Sequence, residues 1–168
     1  MACTVTLAGI AQDCRPNLSG IKRIAVANYV EGGFKKAGDD QTVTIETSLT
    51  GWVELVSARQ VGALTKTLTR NEQTGVLYYT NELVAQFNHM DGANGDAVDK
   101  LGQGRLVVIA EDMNGTCWAL GVDDYVYVSA TTGQTGAAMD DGNFWSVTFT
   151  EYSQHAAYNV AAFPEISA

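Results

Sequence analysis

The stretch from Arg105 to Tyr152 constrains this chain most. It reads as strand, tight turn, strand, glycine-rich loop and strand, with no catalytic constellation inserted. Arg105-Leu106-Val107-Val108-Ile109-Ala110 is the first strand, and Glu111-Asp112-Met113 carries it into Asn114-Gly115. Asn-Gly is the strongest short hairpin signal, because both residues accept the positive φ that a type I′ turn requires. The chain returns through Thr116-Cys117-Trp118-Ala119-Leu120-Gly121, passes a loop from Thr131 to Gly142, and alternates from Phe144 to Tyr152. Trp145, Val147 and Phe149 share one face of that last strand and Ser146, Thr148 and Thr150 the other, the pattern of a half-buried strand. Sheet and turns of this kind suit a building element better than a converting one.

The 168 residues suffice for one domain burying roughly 70% of the surface its unfolded chain exposes. Hydrophobic residues make up 46% and charged residues 17%, a globular balance that argues against general disorder. Two prolines against 17 glycines assign the turns to glycine. No apolar run approaches the ~20 residues of a membrane helix. The start, Met1-Ala2-Cys3-Thr4-Val5-Thr6-Leu7, has no basic leader, so no secretory signal is expected. The net charge of −9 disfavours a phosphate-neutralising nucleic-acid surface. Acidity keeps a protein soluble, and beside DNA it can also line a channel that phosphates slide past.

Along the chain, residues 1 to about 19 read as an N-terminal arm or edge strand, rich in turn formers from Asp13 to Gly20. Ile21 to Val30 is a strand. Glu31 to Gln41 is an extended polar loop whose one large apolar residue, Phe34, is either tucked against its own domain or offered to a neighbour. Thr42–Thr47, Trp52–Val56, Ala63–Arg70 and Gly75–Thr80 are further strands, with Thr65, Thr67 and Thr69 on a solvated face. Leu83, Val84, Phe87 and Met90 then fall at i, i+1, i+4 and i+7, which predicts one central amphipathic helix over about residues 80–90. Thr80 or Asn81 would cap it and Asp91-Gly92 would end it, with Asp96 to Leu101 adding a turn of helix. The expected fold is mainly β, a β-sandwich or barrel with one flanking helix, in a single β-rich domain over residues 1–168.

No motif carries chemistry. No phosphate-binding Gly-x-x-x-x-Gly-Lys-Ser/Thr occurs, and Gly133-Gln134-Thr135-Gly136 lacks the strand-turn-helix setting of a dinucleotide fingerprint and reads as a flexible loop. His89 and His155 are isolated and read as structural or surface residues. Cys3, Cys14 and Cys117 fit neither a zinc site nor a redox pair; Cys3 and Cys14 could bridge in an oxidising compartment, and buried free thiols are preferred. Asp112-x-Asn114-Gly115 hints at a calcium loop, yet Ala110 stands where the first ligand belongs and the hairpin accounts for the residues. Asp91, Asp96 and Asp99, like Asp123-Asp124 and Asp140-Asp141, read as turns and caps. Trp52, Trp118 and Trp145 could form a sugar platform, but core packing explains them better. No nucleophile with its base is seen, so no enzyme, cofactor or metal is expected.

The order strands, central helix, strands, with Gly20-Ile21-Lys22-Arg23-Ile24-Ala25-Val26-Ala27-Asn28 near the start, resembles the tail tube (major tail) proteins of bacteriophages. The segment from Leu106 through Glu111-Asp112-Met113-Asn114-Gly115 to Trp118-Ala119-Leu120-Gly121, with Trp145-Ser146-Val147-Thr148 later, is similar to small virion proteins from phages of Bacteroidetes. The resemblance implies a virion structural protein, assembled in the bacterial host cytoplasm. Six copies would close a ring, and rings would stack into a tube whose acidic channel passes DNA as cargo. Its partners would be itself and other virion proteins, with no membrane. It also implies that Phe34, Lys35 and Lys36 contact the next ring, Phe34 as anchor and the lysines meeting acidic neighbours. A neck or connector ring, a capsid decoration protein and a carbohydrate-binding module are the alternatives.

Overall fold

Ile24-Ala25-Val26-Ala27 and Leu106-Val107-Val108-Ile109-Ala110 are unbroken apolar runs, which suit strands covered on both faces. The computed structural model describes residues 9–10, 17–38, 41–56 and 62–166 and puts both runs at the centre. Its elements are β1 (Ile21–Asn28), β2 (Phe34–Lys36), β3 (Thr42–Ile45), β4 (Val53–Leu55), β5 (Ala63–Asn71), β6 (Val76–Asn88), α1 (Gly92–Gln103), β7 (Leu106–Asp112), β8 (Cys117–Leu120), β9 (Tyr127–Gln134), β10 (Phe144–Ser153) and β11 (Tyr158–Val160). They form a seven-stranded sheet in the order β2-β3-β11-β8-β7-β1-β4 and a four-stranded sheet in the order β5-β6-β10-β9. The chain is mainly β with two sheets and one helix, a β-sandwich as its sequence predicts.

Between the sheets, Ile24, Val26, Val108, Ala110 and Leu120 meet Leu83, Ala85, Val147 and Phe149, and α1 adds Val98. The opposite face of the seven-stranded sheet carries Ala25, Val107, Ile109 and Ala119. Leu49, Trp52 and the C-terminal Phe163 and Ile166 cover that face, so β1 and β7 are buried on both sides. The Arg23 guanidinium lies 3.9 Å from the Phe163 ring centre and holds the C-terminal segment in place.

The helix is not at residues 80–90. That segment is the second half of β6, and the helix follows it. Leu83, Ala85 and Phe87 alternate at period two and face the core, paired with Phe149, Val147 and Trp145 of β10. The β-branched and aromatic run before them favours extended chain, and this outweighs the helical spacing of Leu83, Val84, Phe87 and Met90. Asp91, expected to end a helix, begins one: its carboxylate accepts from the Asn94 N–H at 2.7 Å. The chain breaks out of β6 at His89, which adopts φ 77° while its carbonyl accepts from the Asn94 side chain at 2.9 Å. Three glycines weaken α1, so it depends on packing of Val98 and Leu101.

The Asn114-Gly115 hairpin forms in its expected place with a different turn. Only Gly115 has positive φ (84°), and Met113-Asn114-Gly115 is a three-residue loop closed by Gly115 N–H on the Asp112 carbonyl at 3.1 Å. Asp112 decides this, because its carboxylate accepts from the N–H groups of Asn114 and Thr116 at 2.8 and 2.9 Å. The expected loop 31–41 contains the short strand β2, and the expected loop Thr131–Gly142 begins as the end of β9. Gly133 is there for packing: a Cβ would lie 2.7 Å from the Trp145 ring. Most of the N-terminal arm, with Cys3 and Cys14, lies outside the described residues.

Candidate functional site

Phe34, Lys35 and Lys36 form β2, one of the two edge strands of the seven-stranded sheet. Phe34 is half-buried against the second core cluster, opposite Ile45 of β3. Its ring is thus tucked against its own domain. Lys35 is exposed, and its carbonyl accepts from Thr44 Oγ1 at 3.3 Å. Lys36 forms an ion pair with Asp123 of its own chain and stands 4.9 Å over the Tyr158 ring.

Asp123 is the hub of a polar cluster that joins β2 to the ends of β10 and β11. Besides Lys36, it accepts from Ser153 Oγ at 2.8 Å and Tyr158 OH at 3.1 Å, and meets His155 Nδ1 at 3.1 Å. Burial pushes its carboxyl up, but hydrogen bonds from Lys36, Ser153 and His155 outweigh this and hold it at about 2. Ser, His and Asp occur together here without the geometry of an acyl-transfer triad. In such a triad the hydroxyl bonds the imidazole. In this cluster Ser153 Oγ donates to the carboxylate and accepts the His155 backbone N–H at 3.1 Å. The cluster fastens the edge of one sheet to the end of the other.

Next to it lies a buried glutamate that sequence reasoning missed. Glu151 is 2% exposed and points into the sandwich, where Oε1 accepts from Gly121 N–H and Oε2 from Asn81 Nδ2, each at 2.9 Å. Asn81, wholly buried, accepts in turn from Ala157 N–H at 3.1 Å. Burial pushes the Glu151 carboxyl up to about 7, against the pull of its backbone and Asn81 hydrogen bonds and with a small push from Asp123. A signal was present: counting on by two from Val147 and Phe149 places Glu151 on the apolar face. Asn81, expected as a helix cap, is instead the partner of this carboxyl across the β6–β10 ladder.

The outer face of the four-stranded sheet is largely polar. By register it carries Thr65, Thr67 and Thr69 of β5, Thr80, Glu82 and Gln86 of β6, Ser146 and Thr148 of β10, and Ala130 and Thr132 of β9. No lysine or arginine occupies an outward position, and Glu82 is the one carboxylate. Tyr78 and Tyr127 flank Tyr152 there, with ring centres 5.9 and 6.3 Å away. The outer strands β5 and β9 have no further partner among the described residues.

The three tryptophans do not form an exposed row. Trp52 is buried beneath the seven-stranded sheet, Trp145 packs against the inter-sheet core, and Trp118 lies 3.2 Å under the Lys66 ammonium. Burial brings that ammonium down to about 8. The aspartates act locally: Asp91 caps α1, Asp124 accepts from Tyr125 N–H at 2.8 Å, and Asp141 accepts from the N–H groups of Ala137 and Ala138, each at 2.7 Å. No group of three or more potential metal ligands occurs among the described residues. Comparison with protein-family models, with curated proteins and with solved structures gives no match.

Proposed function

We propose that this chain is a structural subunit of a ring-built tube of the phage tail tube kind, with the outer face of the four-stranded sheet toward the channel. One observation carries the reading: the outer face of the four-stranded sheet bears no positive charge and a single carboxylate, and among the described residues both its outer strands lack a neighbour. A polyanion crossing such a surface meets no ammonium or guanidinium to hold it, so DNA passes as cargo without being bound. The bare strands supply the closure. β5 and β9 are nine and eight residues long, and alternation through β5-β6-β10-β9 makes them antiparallel. The β9 of one copy can therefore pair with the β5 of the next in the ladder geometry already used within the sheet, and a closed ring leaves no edge.

Negative-stain electron microscopy of the purified chain over a concentration series tests this. Hollow rings or tubes are the expected outcome, and monomeric particles at every concentration would overturn it. A carbohydrate-binding module has one observation in its favour, the Tyr78-Tyr152-Tyr127 cluster on the same face, with Tyr152 54% exposed. Monomers that bind a glycan array, and lose that binding on Tyr152→Ala, would install that reading instead.

A further inference from the structure

Two pairs of exposed large apolar side chains lie at opposite ends of β6: Leu68 with Leu77, and Val53 with Val56. Leu68 and Leu77, each about half exposed, share the inward face of the β5–β6 hairpin near its turn, and Val76, equally exposed, lies on the other face. β10 ends at Ser153, opposite Tyr79, so the pairs Thr69↔Tyr78, Arg70↔Leu77 and Asn71↔Val76 run past the sheet as a two-stranded ribbon. A ribbon of that kind is marginal alone, and the two bare leucines on one of its faces mark a contact surface.

The second pair is at the other end of β6. This strand covers thirteen residues from Val76 to Asn88, about 40 Å, before the chain enters α1. There the edge strand β4 and α1 enclose a groove of about 400 Å³ lined by Val53, Leu55, Ala97, Leu101 and Leu106. Val53 is 59% exposed, and Val56, just past the end of β4, is 82% exposed. Tip and groove lie at opposite ends of one strand, so the tip cannot fill the groove of its own chain. Their charges are complementary: Arg70 and Glu72 at the tip, Glu54 and Lys100 beside the groove, none of them in an ion pair among the described residues.

We infer that the β5–β6 tip of one copy seats in the β4–α1 groove of the next, with Leu68 and Leu77 against Val53 and Leu101, Arg70 meeting Glu54, and Glu72 meeting Lys100. The contact is heterologous, and its halves face opposite ways along the strands, so it adds copies head to tail. It rests on the tube reading and deepens it: sheet edges close each ring, and the hairpin tip joins one ring to the next. Phe34 and Lys36, fixed within their own domain, have no part in this joint.

The test compares the full-length chain with Leu68→Asp and Leu77→Asp, imaged at concentrations where the native protein forms tubes, with circular dichroism as the check of folding. Separate rings and no tubes are expected from each variant. Tubes from both variants would overturn the docking and leave the ring reading standing. Native protein that forms neither rings nor tubes would overturn both. A second measurement does not depend on a charged residue in the hairpin. Leu77→Cys with Ala97→Cys, in a Cys3→Ser, Cys14→Ser background, should give a ladder of covalent oligomers on oxidation, whereas each single replacement should go no further than a dimer. Failure of the double replacement to exceed the single ones would overturn the docking.

Discussion

Among the described residues the seven-stranded sheet is covered on both faces and the four-stranded sheet on one, and most properties of this molecule follow from that difference. In β1 and β7, adjacent residues such as Val108 and Ile109 are both wholly buried, one against the four-stranded sheet and the other against Leu49, Trp52 and the C-terminal segment. In β10, Phe149 is wholly buried while its neighbour Thr148 faces outward. One sheet is therefore scaffold through its whole thickness. The other is half scaffold and half surface, and only such a sheet can offer a face to a channel or a partner.

Mutation should expose this difference directly, and here the largest effects are expected. Ile109→Ala and Val108→Ala lie on opposite faces of β7. Both should destabilise the fold, Ile109→Ala by about 2–5 kcal/mol and the smaller valine truncation by less. In β10 the faces should part company: Phe149→Ala should cost about 3–5 kcal/mol, whereas Thr148→Ala should stay within about 0.5 kcal/mol. Urea unfolding of the four variants measures this. A Thr148 variant as damaging as the Phe149 variant would mean that the outer face is covered within the folded chain, and the channel reading would lose its surface.

The same contrast explains how much of the fold could be read from the sequence. β1, β7 and β10 all read as strands, and strict alternation marks β10 as buried on one face; that β1 and β7 are buried on both shows only in the fold. The helix leaves too faint a stripe in the sequence to place it, because its twelve residues include three glycines and bury only Val98 deeply. β6 could pass for a helix because Val84, on its outer face, happened to complete a helical spacing with Leu83 and Phe87. β2 and β11 are three residues each, below the length at which periodicity can be seen. Lys36 stands out in the sequence, but its partner Asp123 is 87 positions away and only the fold joins them.

Glu151 is where the scaffold face departs from its own rule, and its effect should be of intermediate size. It occupies an inward position of the four-stranded sheet, and its carboxyl is pushed up to about 7 in the fold from an ordinary 4.5. Between those values the folded state holds the proton that the unfolded chain has lost. Stability should therefore fall as pH rises from about 4.5 to 7, by up to about 3 kcal/mol. Asp123 acts with the opposite sign in a lower window: its folded carboxyl lies near 2, below an ordinary 3.8, so its contribution is present above 3.8 and fades as pH falls toward 2. Thermal melts from pH 2 to 8 should show greatest stability between the two windows. Glu151→Gln should flatten the upper limb and leave the lower one. An unchanged upper limb would mean that another group produces the slope.

The smallest effect distinguishes β2 as a fastened edge from β2 as a contact surface. Lys36 is held by Asp123 and the Tyr158 ring, but its side chain remains 42% exposed, and a pair so placed contributes about 1 kcal/mol or less. Lys36→Ala should lower stability by no more than that, with a loss that shrinks as salt is added. It should also move the acid limb of the stability curve upward, because the first of the hydrogen bonds holding the Asp123 carboxyl down is removed. Rings and tubes should form as before, since the joint inferred above uses Leu68 and Leu77 instead. A Lys36→Ala chain with unchanged melts that no longer assembles would reverse that assignment: Lys36 would belong to the neighbouring copy, its pair with Asp123 would give way on assembly, and the sheet buried on both faces would carry the joint between rings.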